Sequence, residues 1–193
     1  MTFLTTGHVY IAVSLDGFIA APDGGLDWLM KQPTEGEDHG YDDFMDSVDG
    51  LVMGRATYEK VLTFGAWPYA KPVVVLSRSL AARDLREDLV GKVRIVGDSP
   101  KQVMDALSKE GWRRAYIDGG QLIQAFLREN LISDLVLTRI PILLGSGIPL
   151  FGRLDEAVDL KHVKTVDYPS GLVQSTYQVI RPASPESPLP SSG

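Results

Sequence analysis

Cysteine is absent from the 193 residues. That excludes disulfides, thiolate metal sites and cysteine nucleophiles, and it fits a reducing compartment. Histidine is almost as scarce. His8, His39 and His162 lie far apart and form no metal-ligand spacing, so no metal site is expected. No apolar run approaches the roughly 20 residues that a membrane span needs. The segment from Met1 to Gly7 is too short and too polar for a secretion signal. The expectation is a cytoplasmic protein without a membrane partner. Positive charge is also in deficit, with 19 Lys and Arg against 25 Asp and Glu, a net charge of −6. Nonspecific nucleic-acid binding then has no electrostatic support, and no nucleic-acid partner is expected.

What remains is an ordinary globular composition, 44% hydrophobic and 23% charged, long enough for one core without disulfides. Residues 1–181 read as a single domain, and residues 182–193 as a flexible tail rich in Pro and Ser. His8 to Ser14 is a strand whose continuous apolar middle suits cover on both faces. A long loop rich in Asp, Gly and Pro follows, from Leu15 to Gly25, and a loop of that length after a core strand is more often functional than idle. Tyr41 to Val48 and Arg55 to Leu62 read as helices, with strands at Leu51–Met53, Val73–Leu76 and Val93–Val96. Ser99-Pro100 opens a helix and Gly111 stops it. Ala115–Ile117 is a strand, and Leu122, Ile123, Phe126, Leu127 and Leu131 mark one face of the helix after it. Strands at Leu135–Thr138, His162–Asp167 and Ser175–Ile180 close the chain, the last two joined by Tyr168-Pro169-Ser170-Gly171. Alternating strands and helices followed by a hairpin predict a three-layer α/β/α fold. Its sheet is mixed but mostly parallel, with a C-terminal antiparallel hairpin.

Three strand ends carry the chemistry. At Gly54-Arg55-Ala56-Thr57 the backbone turns from strand into helix. The free N–H groups of the first helical turn suit an anion, and Arg55 and Thr57 add donors for phosphate oxygens. A plain helix start with a solvated Arg fits the same residues. At Asp118-Gly119-Gly120-Gln121-Leu122 a Gly pair permits close backbone approach at a second helix start, or simply a sharp turn. Ser77-Arg78-Ser79 follows a third strand, where ligands of open α/β sheets collect.

As a set, these stretches resemble the dihydrofolate-reductase-like superfamily. Met53-Gly54-Arg55-Ala56-Thr57-Tyr58-Glu59 is similar to the motif whose Arg and Thr hold the 2′-phosphate of NADPH. Ile117-Asp118-Gly119-Gly120 is similar to the turn that receives the pyrophosphate. Ser14-Leu15-Asp16-Gly17-Phe18-Ile19-Ala20 resembles the opening of stand-alone relatives of the RibD C-terminal reductase domain of riboflavin biosynthesis. The resemblance runs from about Val9 to Ile180. It implies Arg55, Thr57, Ser77 and Arg78 around the 2′-phosphate, and Gly54, Gly119, Gly120, Gln121 and Leu122 in the phosphate turns. It places Ala12, Val13 and Ile19 near the nicotinamide. The implied activity is NADPH-dependent hydride transfer to a small heterocyclic or ribosylated substrate, nearest to 5-amino-6-(5-phosphoribosylamino)uracil reduction. A dihydrofolate or pterin reductase, or a nucleotide-binding module without turnover, are the alternatives.

The chain departs from both patterns. Trp28 matches the Trp of dihydrofolate reductases, but Pro33 stands where their pterin carboxylate belongs, and Ile123 replaces an aromatic. Phe18 stands where riboflavin reductases carry Lys. Asp16 is the candidate catalytic residue, holding or protonating a substrate nitrogen with a pKa raised by desolvation, or else a turn residue before Gly17. Ser14 and Trp28 are candidate substrate contacts. The run Glu35, Glu37, Asp38, Asp42 and Asp43 reads as a solvated loop and helix start. The apolar, Gly-punctuated stretch Leu143 to Gly152 predicts a homodimer contact.

Overall fold

The computed structural model describes residues 4–180. The Pro/Ser-rich tail expected at 182–193 lies outside the described residues. One eight-stranded sheet runs through the described chain in the order β5-β4-β3-β6-β1-β7-β10-β9. Its strands are β1 (Thr6–Ser14), β3 (Gly50–Gly54), β4 (Val73–Leu76), β5 (Val93–Val96), β6 (Arg114–Asp118), β7 (Ile132–Ile140), β9 (Leu160–Asp167) and β10 (Val173–Val179). The first six in sheet order are mutually parallel. β10 runs antiparallel to both β7 and β9, which makes the C-terminal hairpin. The expected α/β architecture is therefore present.

Alternation along the parallel strands sends side chains into two cores. On one face, α4 (Pro100–Lys109) and α5 (Gly120–Arg128) cover Val9, Val13, Val52, Val74, Ile117 and Leu135 through Val103, Met104, Leu107, Ile123 and Phe126. On the other, α2 (Tyr41–Ser47) and α3 (Arg55–Leu62) cover Leu51, Met53, Val73, Val75 and Tyr116. Leu51, Val52 and Met53 are fully buried, which explains why β3 reads as an unbroken apolar run. Each such side chain contributes about 1.5–3 kcal/mol by leaving water. α4 starts at a capping box. Ser99 Oγ accepts from the Gln102 N–H at 3.3 Å, and the Ser99 N–H donates to Gln102 Oε1 at 2.9 Å.

β1 departs from the expectation of cover on both faces. Tyr10, Ile11 and Ala12 are only half-buried, and Tyr10 and Ala12 border a cavity described below. Five small elements escaped the sequence, two of them 3-10 turns at Ala82–Asp84 and Glu87–Leu89. α1 (Asp27–Met30) is a single turn, and β2 (Phe18–Ala20) pairs antiparallel with β8 (Ile148–Pro149) in a separate two-stranded ribbon. Segments of two to four residues carry no periodicity to read; Trp28 of α1 packs with Ile140 of β7, and Ile19 of β2 and Pro149 of β8 lie against the Gly120 turn. No helix among the described residues is long and apolar enough to cross a membrane.

Candidate active site

The parallel strands bring the carboxyl ends of β1, β3, β4, β6 and β7 to one edge. The two glycine turns meet there. Gly119 has φ +105°, a conformation that glycine adopts without strain. A Cβ at Gly119 would collide with Thr57 Oγ1, so the hydroxyl of α3 sits directly against the second turn. A Cβ at Gly120 would meet Ile19 Cδ1 and the Pro149 carbonyl, each at 2.9 Å, so the β2–β8 ribbon lies across this turn. Gly54 differs. Its backbone is extended, and a Cβ there would project into open space. Glycine at 54 leaves room at the edge rather than relieving strain.

Neither α3 nor α5 has a side-chain cap at its N-terminus. Their first N–H groups are available to an anion. Beside α3, Arg55 Nε donates to Glu59 Oε1 at 2.6 Å, and Arg55 Nη1 donates to Ser79 Oγ at 2.9 Å. The loop after β4 wraps on Ser77 Oγ, which accepts from the N–H groups of Ser79 and Leu80 at 3.2 and 3.0 Å. Arg78 is exposed. Arg55, Ser77 and Ser79 thus form one cluster with Arg78 on the same loop, and Thr57 links it to Gly119. Gln121 is exposed, and Leu122 packs half-buried on the α5 side of the core. These residues fit a phosphorylated dinucleotide: two uncapped helix starts, a guanidinium fork and an open glycine face.

β1 offers a further feature. It pairs with β6 only from Thr6 to His8, while its pairing with β7 continues to Ser14. The Tyr10 carbonyl on the β6 side accepts from Tyr116 Oη at 2.8 Å, and beyond it the β1 backbone on that side has no strand partner. Val13 turns its side chain into the α5 core and its backbone groups to β7, so the structure does not bring it to this edge. Ala12 faces the other way. It lines a cavity of about 250 Å³ with Tyr10, Thr34, His39, Thr138 and Ile140. Trp28, 6% exposed, packs beside it with Ile140 and Leu172, and its Nε1 has no hydrogen-bond partner.

Two further assignments made from sequence are corrected. Asp16 was expected to have a raised pKa; it is lowered. The Ser14 hydroxyl donates to Asp16 Oδ1 at 2.6 Å, and the N–H groups of Leu144 and Gly145 donate to its two oxygens at 3.1 and 2.7 Å, holding the carboxylate ionised. An ionised acceptor with three donors braces two loops and has no proton to give. Ser14 is 1% exposed, and its Oγ also accepts the Phe18 N–H at 2.9 Å, so its hydroxyl is consumed inside the loop.

The sequence names Asp118 only as the residue before the glycine pair. The structure gives it a different place. It is half-buried at the end of β6, beside Met53 of β3. Loss of hydration pushes its carboxyl up to about 6, against a smaller opposing effect of the Gly119 N–H. Its charge in turn opposes ionisation of Tyr41, Tyr69 and Tyr116. A carboxyl with a raised pKa at a sheet's carboxyl edge is a functional-site signal. A second carboxylate, Glu37, behaves oppositely. Burial alone would raise it, but the Ser170 hydroxyl and N–H, both at 2.7 Å, and His39 Nε2 at 3.1 Å outweigh that and lower it. It clasps the loop before α2 to the β9–β10 turn.

Comparison with known proteins identifies the lineage. The model of the RibD C-terminal domain matches residues 6–174. YwjB, an uncharacterised protein of Bacillus subtilis (strain 168), is 40% identical over 157 residues, 79% of this chain and 86% of YwjB. A putative riboflavin biosynthesis protein from Shewanella sp. PV-4 superposes with a TM-score of 0.86 at 42% identity, over 92% of this chain and all of that one. Dihydrofolate reductase from Enterococcus faecalis, complexed with NADP(H), shares the fold at a TM-score of 0.64 and 19% identity, over 93% of this chain and 99% of that one. The chain is a member of the RibD C-terminal domain family, built on the dihydrofolate-reductase-like fold.

Proposed function

We propose that this chain is an NADPH-dependent reductase of the riboflavin-biosynthesis type. It transfers a hydride to a C=N or C=O bond of a small heterocyclic or ribosylated substrate. The observation that carries the reading is the convergence of the two uncapped helix starts, at Gly54 and Gly119, beside the Arg55–Ser79 cluster. The NADP(H) complex of the E. faecalis enzyme on the same fold agrees with it. NADPH bound there supplies the hydride. Arg55, Ser77, Arg78 and Thr57 hold its 2′-phosphate end, and the N–H groups after Gly119 hold its pyrophosphate. The backbone of β1 at Ala12, on the side without a strand partner, orients the carboxamide. Ile19, in contact with the Gly120 turn through the ribbon, excludes water over it. Asp118 holds a proton on its carboxyl for part of the population near neutral pH and takes the proton-handling role first given to Asp16. Exposed Leu143 and Phe151 on the segment around β8 support homodimerisation.

The test compares cofactors. NADPH should raise the melting temperature well above NADH at equal concentration. Arg55→Ala should weaken NADPH about tenfold or more while leaving NADH within about twofold, because a charge-assisted pair to phosphate contributes about 1.5–3 kcal/mol. Equal shifts for the two cofactors would sink the phosphate assignment. Oxidation of NADPH across a panel of pterins, aminouracils, imines and quinones then separates an enzyme from a nucleotide-binding module.

A further inference from the structure

We propose that the cavity beside Ala12 selects a substrate without phosphate: a small, flat nitrogen heterocycle that is uncharged or cationic. This rests on the reading of the chain as a reductase, and it departs from the phosphoribosyl substrate which the family resemblance implies.

The cavity contains no Lys or Arg. Its polar lining is hydroxyl, from Tyr10, Thr34 and Thr138, and its one titratable heterocycle is His39. His39 has its Nε2 engaged by Glu37 at 3.1 Å, and that carboxylate is held ionised by Ser170, so any charge on the ring is met by a carboxylate. The segment between Lys31 and Arg55 carries Glu35, Glu37, Asp38, Asp42, Asp43, Asp46 and Asp49 and no Lys or Arg. Lys31 is exposed and outside the lining. Arg139 lies between Thr138 and Ile140 on β7, so strand alternation turns it to the opposite face. Cations do occur on the cavity's own face. Arg114 and Lys164 line a second cavity of about 460 Å³, which borders the same Tyr10 and His39 and is partitioned by Gln174. There the two N–H groups of Gln174 Nε2 are shared among Tyr10 Oη, the His39 carbonyl and Thr138 Oγ1 at 3.2, 3.1 and 3.0 Å. This hydrogen-bonded wall stands between those cations and the Ala12 cavity.

A phosphate placed in that cavity would lose water, find no Lys or Arg and face the negative charge of Glu37 and its acidic segment. A flat ring gains instead. Trp28 Nε1 is a buried donor without a partner beside the cavity, and Tyr10 and Ile140 supply faces for stacking and packing. A volume of about 250 Å³ is below the roughly 300–1,000 Å³ typical of ligand pockets. It has room for a single or fused ring, not for a ring with a ribose phosphate.

The experiment uses the whole chain with NADPH and two matched pairs: 5-amino-6-ribosylaminouracil with its 5′-phosphate, and dihydroneopterin with its 3′-phosphate. Turnover is read as kcat/KM, and binding as the melting-temperature shift in the presence of NADPH. The phosphate-free member of at least one pair should bind, and it should exceed its partner by on the order of 10- to 100-fold. Thr34→Lys, which brings a cation to the lining, should narrow that ratio about tenfold or more; Met30→Lys serves if the first variant fails to fold. Equal or better handling of the phosphates overturns the proposal, as does binding of neither member while NADPH still binds. If NADPH itself fails to bind, the reductase reading has failed, and the pairs compared by shift alone still decide whether the cavity rejects phosphate.

Discussion

Asp118→Asn should make the folded protein more stable above neutral pH and less active. Burial raises the Asp118 carboxyl from an ordinary 3.8 to about 6, so its ionised form is disfavoured in the folded state. The sign follows from linkage. The folded protein binds this proton more tightly than the unfolded chain, so stability falls as pH rises from about 4 to about 6 and stays reduced above that. A displacement of that size corresponds to about 3 kcal/mol at about pH 8. Because the side chain keeps some solvent contact, the gain expected from Asn is about 1–2 kcal/mol, or about 2–8 °C in melting temperature for a chain of this length. The gain should shrink to about half at about pH 5 and vanish below about pH 4, where the wild-type carboxyl is neutral in both states. Thermal unfolding of both proteins across that range is the assay. A difference in melting temperature that does not change with pH would refute the desolvation argument, and so would a loss of stability at pH 8. Retained NADPH binding with reduced kcat would place Asp118 in the chemistry, as a site that trades stability for function.

Other perturbations follow from the same geometry. Gly120→Ala drives a methyl against Ile19 and the Pro149 carbonyl, and should cost about 1–3 kcal/mol in chemical denaturation and weaken NADPH binding as the ribbon is displaced. Phe126→Ala opens the centre of the α5 core, where Phe126 is fully buried, and should cost about 3–5 kcal/mol by the same measurement. Glu37→Gln should lower the melting temperature at neutral pH through the weakened Ser170 clasp. That effect should fade as pH falls through the lowered carboxylate pKa, because the wild-type clasp then protonates too. A constant deficit down to low pH would show that shape, not charge, holds the clasp.

Residues whose role is local were readable before the fold was known. Gly54, Ser99-Pro100, Gly111 and Gly119-Gly120 mark boundaries that the structure keeps, since capping and positive φ act within a few residues. The phosphate-turn candidates were also legible, because a strand end followed by glycine and a helix start is a local pattern. Asp16 and Ser14 were misread for a complementary reason. Two of the three donors that ionise Asp16 lie 128 and 129 residues away, and no window around Asp-Gly contains them. Trp28 was legible as a residue, but its orphaned Nε1 was not.

The sequence by itself determined the alternation of strands and helices, the absence of thiol chemistry, and two glycine turns where strands end and helices start. These depend on residue type and short-range geometry. Tertiary structure alone decided that Thr57 meets Gly119, that Asp118 loses its water among Tyr41, Tyr69 and Tyr116, and that the Ala12 cavity contains no Lys or Arg. Hydration and charge at a site are sums over whatever the fold brings within a few ångströms, and strand order sets that sum.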